Sequence, residues 1–126
     1  MARRWLRAAA AAAAAIPVMV ACSPTAVPAP PDLMLGRWAG VEGMYLVVAR
    51  GTAPGRYELE MQWDLDHRGR FTGTREGDTI VFMRDGARQT LRPTTGTATG
   101  LKYLADKSDC LTVMPGEGYC RAQSSR

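Results

Sequence analysis

Tyr57-Glu-Leu-Glu-Met-Gln-Trp63 alternates apolar and polar residues without a break, and no other run constrains the fold as tightly. Successive side chains of an extended strand point to opposite faces, so Tyr57, Leu59, Met61 and Trp63 share one face and Glu58, Glu60 and Gln62 the other. Such a strand has a core on one side and water on the other, the situation of an antiparallel sheet with one covered face. Met44 to Ala49 and Thr79 to Met83 are further candidates, apolar on both faces, and Phe71 to Thr74, Arg88 to Arg92 and Cys110 to Val113 are shorter ones. Turn residues punctuate them at Glu42-Gly43, Gly51-Thr-Ala-Pro-Gly55, Asp66-His-Arg-Gly69, Glu76-Gly-Asp78 and Asp85-Gly86. The spacing predicts an all-β domain over residues 33–126, a small antiparallel meander barrel or sandwich of about seven or eight strands. About ninety residues suffice for one small core and no more. Late in the chain, Leu101, Leu104 and Ala105 fall on one helical face, which predicts one short helical turn near residues 98–107 plugging one end of the sheet. Leu101, Tyr103 and Leu104 are expected to be buried there.

Residues 1–21 have the composition of an export signal. Arg3, Arg4 and Arg7 form a charged n-region, Ala8 to Val20 an apolar stretch too short for a comfortable membrane span, and Ala21 a small residue at the cut site. Met19-Val20-Ala21-Cys22 resembles the bacterial lipobox, and the resemblance implies cleavage before Cys22 and acylation of its sulfur. The mature chain then begins with a lipidated Cys22 and continues through Ser23 to Asp32, a Pro-rich tether that favours extended polyproline II. Inner-membrane retention of lipoproteins is usually signalled by Asp after the cysteine. Ser23 takes that position, so the resemblance implies an outer-membrane lipoprotein facing the periplasm, with the membrane as its first partner. Arg3-Arg4-Trp5-Leu6 is partly similar to a twin-arginine signal, but a basic n-region alone explains it.

Two other cysteines, Cys110 and Cys120, then remain as a pair, and a pair in an exported chain reads as a disulfide. They flank two short candidate strands joined at Pro115-Gly116, where cross-strand bridging is the natural geometry. No His or third Cys lies near enough in sequence to make a metal site of them.

Charge and motifs narrow the function classes. Of 16 basic residues, Arg3, Arg4 and Arg7 leave with the signal, and 13 basic against 12 acidic residues remain. A nearly neutral domain gives no support for nucleic-acid binding, and Arg50, Arg56, Arg68, Arg70, Arg75, Arg84, Arg88 and Arg92 read as a solvated, charge-balanced outer face. His67 is the sole histidine, in a predicted loop behind Asp64 and Asp66, where it completes neither a metal shell nor a Ser/His/Asp set. Glu58 and Glu60 sit on a solvent face, with no burial to raise a general acid's pKa. No enzyme activity, metal or cofactor is expected. Trp38, Tyr45, Tyr57, Met61, Trp63, Phe71 and Phe82 either fill the core or line a small apolar cup, and a domain this size needs most of them as core.

Three resemblances add to this reading. Leu35-Gly-Arg-Trp-Ala-Gly40 resembles the Gly-x-Trp-x-Gly opening of lipocalin-like and avidin-like barrels, which implies a tryptophan closing the barrel floor but not a ligand. Thr99-Gly100-Leu101-Lys102-Tyr103 is similar to the Ser-Gly-x-basic-Tyr loop of membrane-bound inhibitors of c-type lysozyme, small periplasmic β-barrel lipoproteins. That likeness implies a cleft-filling loop of Thr99, Gly100, Lys102 and Tyr103, against the plainer reading of a structural turn. Lys102 to Arg121 resembles the C-terminal half of small proteobacterial envelope lipoproteins and brings no activity with it. The sequence thus points to a membrane-anchored, non-catalytic barrel, its partner an unidentified protein or a small apolar ligand, with lysozyme inhibition as the alternative.

Overall fold

Arg56–Gln62 is a strand whose exposure alternates along its length, with Tyr57, Leu59 and Met61 buried, as its sequence requires. In the computed structural model, which describes residues 12–16 and 30–122, it is the third of eight strands. They are β1 Gly36–Ala39, β2 Tyr45–Arg50, β3 Arg56–Gln62, β4 Arg68–Glu76, β5 Thr79–Arg84, β6 Ala87–Thr94, β7 Cys110–Met114 and β8 Glu117–Cys120. Each pairs antiparallel with the next, and Ala39 of β1 meets Cys120 of β8, so the meander closes into a barrel rather than a sandwich. Closure removes the free sheet edges that would otherwise pair with other chains. The Asp85-Gly86 turn has φ of 52° and 75°, the left-handed pair that a two-residue hairpin needs and that Asp-Gly supplies.

Side chains fill the barrel. Leu46, Leu59, Met61, Ile80, Phe82 and Leu91 are all buried along it, and Gly73 faces inward where a Cβ would run into Ile80 Cγ2. Of the residues weighed as a cup, Trp38, Tyr57, Met61 and Phe82 are core, Trp63 and Phe71 pack against it half-buried, and Tyr45 stands on the outer wall beneath the Arg37 guanidinium. One end is closed by a 3-10 turn, η1 Pro30–Met34, leading into β1. Trp38 lies on this floor, donating from Nε1 to the Met34 carbonyl at 2.8 Å, with the Arg121 guanidinium 4.0 Å above its ring.

The connection from β6 to β7 differs from the sequence expectation. Two separate 3-10 turns, η2 Thr97–Thr99 and η3 Lys102–Leu104, replace the single helical turn near residues 98–107. They do not plug an end of the barrel. Gly118 and Cys120 face outward from β8, and Thr99 lies against Gly118 while Leu104, with Leu101 and Val41, packs on Cys110 and Cys120. The segment therefore covers the outer wall near the β7–β8–β1 seam in a second small core.

Cys110 and Cys120 are directly opposed in the β7–β8 register and joined by the expected disulfide, with Cα atoms 4.0 Å apart. Cys120→Ala should lower stability by about 3 kcal/mol, the chain entropy of a ring this small. The melting temperature is then expected to fall on the order of 15 °C, read by thermal unfolding under non-reducing conditions.

Candidate functional site

The Thr99 to Tyr103 segment divides into an anchored half and an exposed half. Thr99 is fully buried. Its Oγ1 donates to the Gly96 carbonyl at 2.6 Å and accepts from the Leu101 amide at 3.1 Å, while its own carbonyl accepts the Gly116 amide at 2.8 Å. Gly100 follows with φ of 74°, a left-handed turn that glycine adopts without a Cβ penalty. Lys102 and Tyr103 are thereby presented to solvent, and the Tyr103 side chain is 82% exposed. Burial of Tyr103, expected from its apolar neighbours, does not occur. In a 3-10 turn residues three apart share a side, so Leu101 and Leu104 face the wall and Tyr103 falls off that line.

Tyr103 borders an open cleft of about 470 Å³ lined with Gly40, Val41, Glu42, Leu104 and Lys107. Its walls come from the β1–β2 turn and from η3, two segments tied to the barrel at both ends. Leu104 and Val41 belong to the disulfide-centred second core, and Lys107 and Glu42 supply the charged lining. This arrangement can hold an aromatic and a basic side chain in fixed position on an outer surface. It places no nucleophile beside a base.

A polar network missed by the sequence reading lies inside the barrel at the end opposite η1. Arg84, read as a member of the solvated outer face, is 5% exposed, and Glu117 is 8% exposed. They form a two-pronged ion pair, Nη1 to Oε2 at 2.8 Å and Nη2 to Oε1 at 2.6 Å. The Tyr119 hydroxyl donates to Glu117 Oε2 at 3.1 Å, and the Arg84 guanidinium lies 4.6 Å from the Trp63 ring centroid. Burial, then the charge and hydrogen bond of Glu117, push the Tyr119 phenol well above its ordinary range. Burial opposes the charge on Arg84, but the hydrogen bonds and negative charge of Glu117 outweigh it and raise the guanidinium's pKa. The signal for this network was present in strand parity, because Ile80, Phe82 and Arg84 share one face of β5 and Glu117 and Tyr119 one face of β8.

His67 lies on the adjacent loop, exposed, with Nδ1 at 2.7 Å from Asp64 Oδ2 and its ring stacked on Trp63 at 5.7 Å. Asp64 also accepts the Asp66 amide at 2.8 Å, which makes this a self-bonded turn. Glu58 is exposed and Glu60 part-exposed on the outer wall, where Arg70 approaches Glu60 at 3.9 Å. Cys22 and the tether up to residue 29 lie outside the described residues. Comparison with protein-family models, with curated proteins and with solved structures finds no match to this chain.

Proposed function

We propose that this chain is a lipid-anchored protein of the bacterial envelope, outer-membrane and periplasm-facing, whose barrel is non-catalytic and binds a protein partner through the exposed loop at Lys102 and Tyr103. The observation that carries the reading is the exposure of Tyr103 on a segment otherwise locked to the wall. A large aromatic ring left in water on rigid backbone is the composition of an interface anchor, since tyrosine is among the residues enriched at binding hot spots. The packed interior supports a surface site over an apolar cup. Residues 1–22, with their lipobox resemblance, support the anchor. Cys22→Ser should release the protein from membranes or leave it unprocessed, because two or three acyl chains make a stable anchor and their loss leaves none. Detergent-phase partitioning unchanged by the substitution would refute the anchor.

A second reading, inhibition of c-type lysozyme, is favoured by the same exposure of Lys102 and Tyr103 in the Thr-Gly-Leu-Lys-Tyr segment. Under it Thr99, buried beneath the loop, sets the loop's shape, and contact falls to Lys102 and Tyr103. The purified mature chain should then inhibit a c-type lysozyme, and Tyr103→Ala should abolish inhibition with a melting temperature within a few degrees of the parent, since an exposed ring contributes little to the fold. Wild-type protein without inhibitory activity leaves the loop to another protein partner. A large fall in melting temperature on Tyr103→Ala would instead make the ring structural and sink both readings of the loop.

A further inference from the structure

The barrel end that η1 enters carries a cationic cleft that the loop at Tyr103 does not use. It has a volume of about 430 Å³, and Asp32, Arg50, Arg56, Tyr57 and Arg75 line it. Three neighbouring strands bring the arginines together: Arg50 pairs with Tyr57, Arg56 with Thr74, and the Arg75 amide donates to the Gly55 carbonyl at 2.8 Å. Asp32 is the one carboxylate in the lining, and it is engaged by the Tyr57 hydroxyl at 2.8 Å and by Arg50 Nη1 at 3.1 Å. Glu76, next in sequence to Arg75, is held by Arg88 at 2.5 Å. Three guanidinium groups against one engaged carboxylate make a site for a phosphate oxyanion, whose oxygens match the planar donor fork of arginine.

The position of the cleft selects the source of that phosphate. The chain leaves this end at Pro30, and the eight residue steps back to Cys22 span at most about 28 Å even when fully extended. A barrel anchored at Cys22 is thus held close to the headgroup layer by its cationic end. We propose that the cleft of Arg50, Arg56 and Arg75 is a headgroup site that takes the phosphate of an anionic phospholipid, seating the barrel floor-down on the membrane that anchors it. The proposal rests on the lipid-anchored reading for its orientation. Floor-down seating leaves the Tyr103 loop on the side wall, clear of the membrane.

Vesicle flotation of the unacylated mature chain, residues 22–126 with Cys22→Ser, tests the site without its lipid. This chain keeps η1 and all eight strands. It should bind vesicles of phosphatidylcholine with phosphatidylglycerol and not vesicles of phosphatidylcholine alone. The paired substitution Arg56→Glu/Arg75→Glu should weaken binding at least about 20-fold, the loss expected when two arginines near an anionic surface are reversed. The same charge change at the other end of β4, Arg68→Glu/Arg70→Glu, should cost under about threefold, because screening confines the attraction to the near face. Arg56→Gln/Arg75→Gln, with the same ranking and an unchanged melting temperature, separates lost binding from lost folding. No binding to either vesicle, or equal loss in the two charge-reversed variants, overturns the proposal. Release from vesicles by millimolar inorganic phosphate reassigns the cleft to a free anion and overturns the headgroup source. Failure of the anchor reading shows separately, as unchanged membrane partitioning of Cys22→Ser in cells.

Discussion

Glu117→Ala should destabilise the barrel by about 3–5 kcal/mol, the cost of leaving a buried guanidinium without its carboxylate. Arg84 cannot shed its proton at any accessible pH, so the charge stays in place when its partner is removed. Around it lie Phe82, Trp63 and the Met61 sulfur, the last at 3.3 Å from Nη1, and none of these replaces a carboxylate. The stacking on Trp63 contributes on the order of 2 kcal/mol in a desolvated setting. The Tyr119 hydroxyl also loses its acceptor. In a domain at the lower end of the typical range of about 5–15 kcal/mol, the loss leaves a substantial unfolded fraction at 37 °C. Urea unfolding followed by tryptophan fluorescence reads it directly. Arg84→Met/Glu117→Leu removes both charges and should recover most of the deficit, because apolar replacement of a buried pair is often neutral or better. A loss under about 1 kcal/mol for Glu117→Ala would mean the pair is solvated and that its burial does not govern its energy.

The same pair marks where sequence reasoning stopped. Strand positions were legible because alternation and turn residues are local: Tyr57, Leu59 and Met61 are buried, and Asp85-Gly86 turns the chain between β5 and β6. The disulfide was legible because Cys110 and Cys120 flank a short candidate hairpin and remain as a pair once Cys22 is read as the lipidation site. Barrel closure was legible only as one of two alternatives, barrel or sandwich, since the β1–β8 contact joins Ala39 to Cys120 far along the chain, and the Gly-x-Trp-x-Gly resemblance around Trp38 was the one local pointer to it. Arg84 and Glu117 lie 33 residues apart, and charge alone assigns both to the surface. Parity overrides that assignment once the strand ends are known. Tyr103 failed in the opposite sense, because its burial was expected from apolar area alone, although neither an α-helical nor a 3-10 period puts it on the side of Leu101 and Leu104, and the ring is exposed. Within the candidate loop, the division between the buried Thr99 and the exposed Lys102 and Tyr103 was not legible, because it depends on packing against Gly118 and Gly116.

Trp38→Ala should cost about 3–5 kcal/mol, the range for removing a buried tryptophan from a packed core. Its ring is 2% exposed, and its loss opens the floor of the barrel beneath η1. Three contacts converge there. The indole N–H holds the Met34 carbonyl, Arg121 covers the ring, and the Arg121 guanidinium donates to the Leu33 carbonyl at 2.5 Å and to the Leu35 carbonyl at 3.3 Å. Arg121 therefore fastens η1 to the end of β8 across the closing seam, with Trp38 as the surface it rests on. Trp38→Phe keeps much of the area and loses the hydrogen bond, so it should cost less, about 1–2 kcal/mol. Arg121→Ala combined with Trp38→Ala should lose less than the two separately, by roughly 1 kcal/mol or more, because each substitution already removes the contact they share. Hydrogen exchange should show the amides of residues 33–35 losing protection in either single variant while those of β3 keep it, since local opening of the floor precedes global unfolding. Strict additivity of the two losses would show that Arg121 rests on the surface without bracing the floor, and closure of the barrel would then depend on the Ala39–Cys120 pairing and the disulfide behind it.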